Sequence, residues 1–450
     1  MSNRPNHSRV ATEDESVDVL EPFRQYVSLE RDVLVLSVAM FAFSLGFQMT
    51  GRYMGRYLSL LGATSLVIGL YGSFGNLIGA VYPYPGGALS DRIGSRTALT
   101  LFGFCSTIGF LFWVGAPDLP SFSGVPTWAW IFVGLLLVQA WKSFGLGATF
   151  AIVKQSVPPS KFAQGFASTE TFRRTAFLIG PLVAASLIAA YEFELGFRYV
   201  LAVGAVFALL ATLAQHVLYE ASEDSLGKSF AGVSQIADDL KGMPAPLRPL
   251  LVGDTMVRFA NGMVYVFVVL AVTEYLQVDA TLPFVGYLGP EAFFGVLLAI
   301  EMAVALLTML PVSKLAERIG LKPVVGIGFV VYAIFPALLV NAPANAGIVA
   351  LLFAFSGLRF AGLPAHKALI VGPAGENAGG RVVGSYYLVR NTITIPSAAF
   401  GGWLYGIEST PLFGFAAVNG PILAFGLATV VGIAGTAYFL VFGQELDAYA

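Results

Sequence analysis

A handful of ionisable residues stand inside long apolar segments, among them Lys142, Arg258, Glu301, Arg359 and Arg390. Charges in such surroundings are costly and are usually kept for a function. Lys142, Arg359 and Arg390 have no acid at helical spacing, and Glu301 has no base there. Each therefore needs a partner on another helix, water or a ligand. Two kinds of chemistry follow. Guanidinium and ammonium groups in a poorly screened site attract an anionic or carboxylate-bearing solute. A carboxyl held away from water can load and release a proton near neutral pH, which makes Glu301 the first candidate for a proton carrier. Glu170 and Asp254 come second, because Arg173 and Arg174 lie three and four residues beyond Glu170, and Arg258 four beyond Asp254. A purely structural reading competes throughout: these are ion pairs within the bundle, Arg359 with Glu301 among them.

Neighbouring side chains add to the candidate site. Gln48, Asn261 and Asn391 offer hydrogen bonds to a solute. Trp141 and Tyr386 offer aromatic surface, as do Phe47, Tyr265 and Tyr387, although most aromatics in such segments simply pack. Other chemistries find no support. The three histidines, His7, His216 and His366, are far apart, and the single cysteine, Cys105, excludes an internal disulfide and a multi-cysteine metal site. No His-Glu-x-x-His or Gly-x-Ser-x-Gly occurs. Gly227-Lys228-Ser229 resembles the end of a phosphate-binding loop, but Ser222 stands where its first glycine belongs. An enzyme, a resident cofactor and a metal are not expected.

The elements that carry these residues follow from composition. Of 450 residues 56% are hydrophobic and 12% charged, against about 25% charged in an ordinary soluble domain. That excludes a soluble or disordered chain and leaves an integral membrane protein. The net charge of −2 gives no footprint for nucleic acid. Apolar segments fall at about 33–57, 65–88, 97–116, 127–152, 164–190, 197–219, 250–276, 285–312, 323–341, 346–371, 382–406 and 415–442, termed spans 1 to 12. They must be helices, since open strands cannot satisfy their backbone in lipid. The connections after spans 1, 3, 7, 9 and 11 hold no Lys or Arg and the one after span 5 has only Arg198, while those on the other side are basic, so both termini are expected in the cytoplasm. Arg52 and Arg56, near the outer end of span 1, are the exception. The polar residues 1–32 read as a cytoplasmic tail without a cleaved signal, and 443–450 as a second tail. The middle connection, 220–249, has Phe230, Val233, Ile236, Ala237 and Leu240 at helical spacing. It reads either as a helix on the membrane surface or as a solvated linker.

A duplication is the most specific feature. Gly87-Ala-Leu-Ser-Asp91-Arg92-Ile-Gly94-Ser-Arg96 recurs as Ser313-Lys-Leu-Ala-Glu317-Arg318-Ile-Gly320-Leu-Lys322, 226 residues on. Lys142 precedes Gly145-Leu146 by three, as Arg359 precedes Gly362-Leu363. Six spans repeated as six is a transporter architecture. The first segment matches the loop signature Gly-x-Leu-x-Asp-Arg-x-Gly-x-basic, and over about 33–442 the chain resembles a major facilitator superfamily transporter.

The resemblance implies an all-α integral membrane fold: twelve transmembrane helices in two pseudo-symmetric six-helix bundles, 33–219 and 250–442, joined by 220–249 and working by alternating access. Gly87, Asp91, Arg92, Gly94 and Arg96, with Glu317, Arg318 and Gly320, would form a conformational switch. Asp91 would help to hold the outward-open form near the start of span 11. Lys142 and Arg359 would stand on cavity-lining helices, with Arg258 and Arg390 deeper toward the cytoplasm. The implied function is secondary transport of a small solute, proton-coupled, by a monomer in the plasma membrane. Gly180-Pro181 in span 5 tilts that reading toward efflux, although the glycines around it in the family's antiporters are replaced here, at Ala167 and Ala176. Uptake of a small organic anion or sugar is the alternative. A sensor on the same fold is a third, opposed by the short tails and middle loop.

Overall fold

A segment in lipid must satisfy its own backbone hydrogen bonds, and this chain does so almost entirely as helix. The computed structural model describes residues 31–120, 125–156, 162–219, 243–372, 379–408, 410–411 and 417–445. Each of the twelve expected segments falls on helix over most of its length. Among the described residues seven helices are long and apolar enough to cross a membrane, and three shorter apolar ones, Ser37–Thr50, Ser65–Val81 and Ala129–Ser143, accompany them. One of the seven, Arg173–Leu218, has 46 residues, where a single crossing takes about 20. The helix containing it, Phe162–Leu218, breaks at Glu192, with φ 61° and ψ 172°, so spans 5 and 6 are its two arms. Most of the expected middle linker lies outside the described residues, as do most of the two tails.

The remaining departures from a plain set of rods are local. Span 8 starts at Pro290, five residues later than expected, because strands β1 (Ala280–Leu282) and β2 (Gly286–Leu288) form an antiparallel hairpin before it. Span 11 divides into Gly379–Thr394 and Ser397–Tyr405. Pro396 lies between them and has no N–H for the helical ladder. Span 7 runs as helix over Leu247–Val264, tightens to a 3₁₀ turn at Tyr265–Phe267 and widens to a π turn at Ala271–Tyr275. Span 10 is interrupted by a 3₁₀ turn at Leu358–Phe360, after Ala346–Gly357 and before Leu363–Val371. Tyr265 and Arg359 sit on these two irregular turns.

Two solvents shape each helix. On span 3, Leu101, Phe104, Ile108 and Leu111 recur at helical period and are exposed, while Ala98, Phe102, Ser106, Phe110 and Trp113 are buried. An apolar stripe of that kind faces lipid, and the opposite face packs on protein. Span 1 packs against the long Phe162–Leu218 helix, span 3 against spans 4 and 6, and span 12 against spans 7 and 9. Contacts also join the first and second halves of the chain: span 2 meets span 11, and span 5 meets span 8. At the first of these a Cβ on Gly69 would overlap the carbonyl oxygen of Ala398, and one on Gly402 would overlap that of Ser65. Only glycine permits this approach, a common device where helices meet in lipid.

The duplicated loops fold alike. Pro83–Ile93 ends at Gly94, with φ 84° and ψ 149°, and Pro290–Ile319 ends at Gly320, with φ 92° and ψ 165°. Both conformations suit glycine and strain other residues. In each copy the far end of the half comes back onto the helix that follows. The Tyr219 hydroxyl is 2.8 Å from Ser95 Oγ. The Glu445 carboxylate accepts the backbone N–H of Leu321 at 3.0 Å and of Lys322 at 2.8 Å, a cap on orphan donors. Tyr219 and Glu445 are 226 residues apart, as Gly94 and Gly320 are.

Candidate functional site

Two buried carboxylates organise the centre of the molecule. Glu301, on span 8, is buried and accepts hydrogen bonds on Oε1 from Arg359 Nη2 at 2.6 Å and from Ser356 Oγ at 2.5 Å. Its Oε2 lies 3.8 Å from Arg52 Nη2 of span 1. Ser356 and Arg359 are three residues apart, so the span 10 turn presents both to the same acid. Asp254, on span 7, is fully buried. Its Oδ1 accepts from Arg258 Nε at 3.2 Å. Its Oδ2 accepts from Tyr386 at 3.1 Å and Arg390 Nη1 at 3.1 Å, and lies 3.3 Å from His366 Nε2. Tyr332 of span 9 joins the two groups. Its hydroxyl accepts from Arg258 Nη1 at 2.9 Å, and the guanidinium carbons of Arg258 and Arg359 lie 4.8 and 5.0 Å from its ring centroid.

Two chambers open beside these groups. The first, about 260 Å³, is lined by Gln48, Arg52, Arg173, Arg174, Arg258, Asn261, Tyr265, Glu301, Tyr332 and Arg359, with apolar neighbours. Five of these are arginines, and Glu301 is the one acid among the described lining residues. Arg52 Nε and Arg359 Nε are buried there with no hydrogen-bond partner. The second chamber, about 270 Å³, is lined by Asn76, Arg258, Asn261, Tyr265, Arg390, Asn391 and Thr394, with small and apolar residues of spans 2, 7 and 11. Arg258, Asn261 and Tyr265 stand at positions i, i+3 and i+7 of span 7 and border both chambers. The arrangement can hold anionic groups by charge and by hydrogen bonds from guanidinium and amide donors.

The structure thus gathers Gln48, Arg258, Asn261, Glu301 and Arg359 at the first chamber, and Arg390 and Asn391 at the second. Asp254 and Tyr386 line neither and instead tether the arginines. Trp141 is buried and stacks on Phe43, with ring centroids 3.9 Å apart. Lys142 is exposed, with Nζ 5.8 Å from the Phe47 ring centroid. Neither borders a chamber among the described residues. The Glu170 side chain lies outside the described residues, as do the side chain of Asp91 and the surroundings of Gly87. In the loop copies Arg92, Glu317 and Arg318 are exposed, and Arg96 Nε donates to the His216 carbonyl at 2.7 Å. Sequence reasoning did not single out Arg52, Tyr332, Ser356 or His366 for the site. Arg52 had left a signal, as an exception to the charge asymmetry. His366, seven residues beyond Arg359, shares its helical face. Tyr332 left none.

A further charged group joins the chain's two halves at the end of the molecule that carries the 51–64 and 276–289 connections. Arg56 pairs with Glu274 at 2.9 Å and with Glu291 at 3.0 Å. Ser59 Oγ donates to Glu274 at 2.8 Å, and the Tyr53 hydroxyl donates to the Glu291 carbonyl at 3.1 Å. Spans 1, 7 and 8 are latched together there.

The Major Facilitator Superfamily model matches residues 36–251. An uncharacterised MFS-type transporter of Methanocaldococcus jannaschii is 22% identical over 407 residues, 88% of this chain and 95% of that one. The nucleoside transporter NupG superposes with a TM-score of 0.72 at 14% identity, covering 92% of this chain and 100% of that one. A POT family transporter solved with 5-aminolevulinic acid gives 0.71 at 14% identity, covering 93% and 100%. Residues 36–251 thus match that superfamily's model, and the chain as a whole has its fold. It is a membrane transporter of that type, a multi-pass membrane protein.

Proposed function

We propose that the protein moves a small anionic solute across the membrane together with protons, by alternating access of two bundles, 33–219 and 250–442. The observation that carries this reading is the first chamber. It is lined by residues of spans 1, 5, 7, 8, 9 and 10, from both halves of the chain, and in it Arg52 and Arg359 share the single carboxylate of Glu301. The guanidinium that Glu301 leaves uncompensated costs solvation energy that an anion would return. Glu301 supports the coupling. It engages Arg359 and Arg52, so a proton on Glu301 would release both guanidinium groups for the solute. Solute and proton would then travel in the same direction. The latched end at Arg56 is the outer one on this reading, since basic connections mark the cytoplasmic side. The protein would act as a monomer in the plasma membrane with both termini inside.

A solute screen in proteoliposomes with an imposed pH gradient tests the reading. Anions should accumulate in response to the gradient. Glu301→Gln should abolish that accumulation while exchange of internal for external solute continues. Gradient-driven accumulation that survives Glu301→Gln would contradict Glu301 as the carrier. Transport confined to neutral solutes would contradict the anion reading.

A further inference from the structure

We infer that the solute is a dianion whose two anionic groups sit apart, one in each chamber; the inference rests on the anion reading above. The argument is one of charge on either side of a wall. On the first side Arg52 and Arg359 face Glu301. Two positive charges meet one negative, and the excess grows to two when Glu301 takes a proton. Both Nε atoms there are buried and unpartnered, and the Arg359 side chain is only 4% exposed. On the second side Arg258 and Arg390 face Asp254, and again two positive charges meet one negative. His366, close to Asp254, can only add to that excess. Arg258, Asn261 and Tyr265 divide the chambers and border each of them. Arg390 borders only the second chamber, and Arg52 and Arg359 only the first.

A monoanion placed in either chamber leaves the other excess uncompensated in a poorly screened interior. A compact dianion such as phosphate, with its charge in one place, does the same. A solute with separated anionic groups compensates both, and its middle would pass Asn261 and Tyr265. The second chamber also offers the amides of Asn76 and Asn391 and the Thr394 hydroxyl. It suits a carboxylate or phosphate ester at the end of a short chain.

Thermal stabilisation of the purified full-length protein tests this, with butyrate, succinate, glutarate, adipate and inorganic phosphate at matched ionic strength. At least one dicarboxylate should bind tenfold or more tighter than butyrate and than phosphate. Arg390→Gln, which removes the second excess, should shrink the dicarboxylate-to-butyrate ratio to within about twofold of one. Arg390→Lys should restore much of the ratio, which separates charge from folding. Arg359→Gln should weaken butyrate and dicarboxylate together. Equal binding of butyrate and every dicarboxylate, or phosphate binding as tightly as the best of them, overturns the dianion while the anion reading stands. Binding of an uncharged nucleoside or dipeptide with none of the anions overturns both.

Discussion

Asp254 is one buried carboxylate facing two guanidinium groups, a phenol and an imidazole. Its loss and the loss of one partner are therefore unequal. Asp254→Asn leaves Arg258 and Arg390 facing each other without a counter-charge, which should cost about 3–5 kcal/mol. Arg390→Gln leaves a balanced Asp254–Arg258 pair and should cost clearly less. Thermal unfolding of the two purified variants checks the order, and a milder effect of Asp254→Asn would contradict it. This pair also shows how much of the site the sequence carried. Asp254 and Arg258 are four residues apart, and helical spacing alone pairs them. For Glu301 and Arg359 spacing gave no partner, because it reports neighbours on one helix and says nothing of the next; their pairing stood as one of the open readings, and the structure shows it at 2.6 Å. Lys142 left the same signal and borders neither chamber among the described residues, although its ammonium interacts electrostatically with Tyr265 and Arg173, which line the first. Composition and period fix that a charge is inside a span, but not which way its helix is turned.

At the scale of elements, the helices that build the site are the irregular ones. Spans 7 and 10 each change their winding where they meet the first chamber, at Tyr265–Phe267 and Leu358–Phe360. Such turns free carbonyls and redirect side chains, and they gather at functional positions. Neither was legible beforehand, since both spans read as unbroken apolar runs. The latch was half legible: Arg56 was an oddity at the outer end of span 1, but its acids lie some 220 and 235 residues away. Arg56→Gln removes two partly exposed ion pairs, about 1 kcal/mol and roughly a fivefold shift in conformer population. Distances between spin labels on the 51–64 and 276–289 connections, in a Cys105→Ser background, should broaden toward longer values. An unchanged distribution would remove the latch role. Gly402→Val should be more severe, since its side chain would meet the span 2 backbone at Ser65 and Gly69. Transport should fall at least tenfold while the protein still inserts in the membrane, as read by uptake and by surface amount.

For the whole molecule, the duplication is what made the fold readable. Leu, acid, Arg, Ile and Gly recur 226 residues apart, and the structure gives both copies the same positive-φ glycine turn, at Gly94 and Gly320. Among the described residues seven helices qualify by length and composition, one of them 46 residues long and bent at Glu192. A two-state carrier needs an element whose two arrangements differ little in energy. Asp91, in the first copy, is the acid expected to stabilise one of them. Asp91→Asn should reduce transport severalfold without reducing membrane insertion.

The central claim is that this chain carries an anion through the arginine-lined chamber between its two halves. Counterflow measures that most directly: proteoliposomes loaded with unlabelled dicarboxylate are diluted into a trace of the same labelled solute. The account predicts transient accumulation of label inside, lost in Arg359→Gln. Stoichiometric binding without counterflow, or counterflow that Arg359→Gln leaves intact, would contradict it.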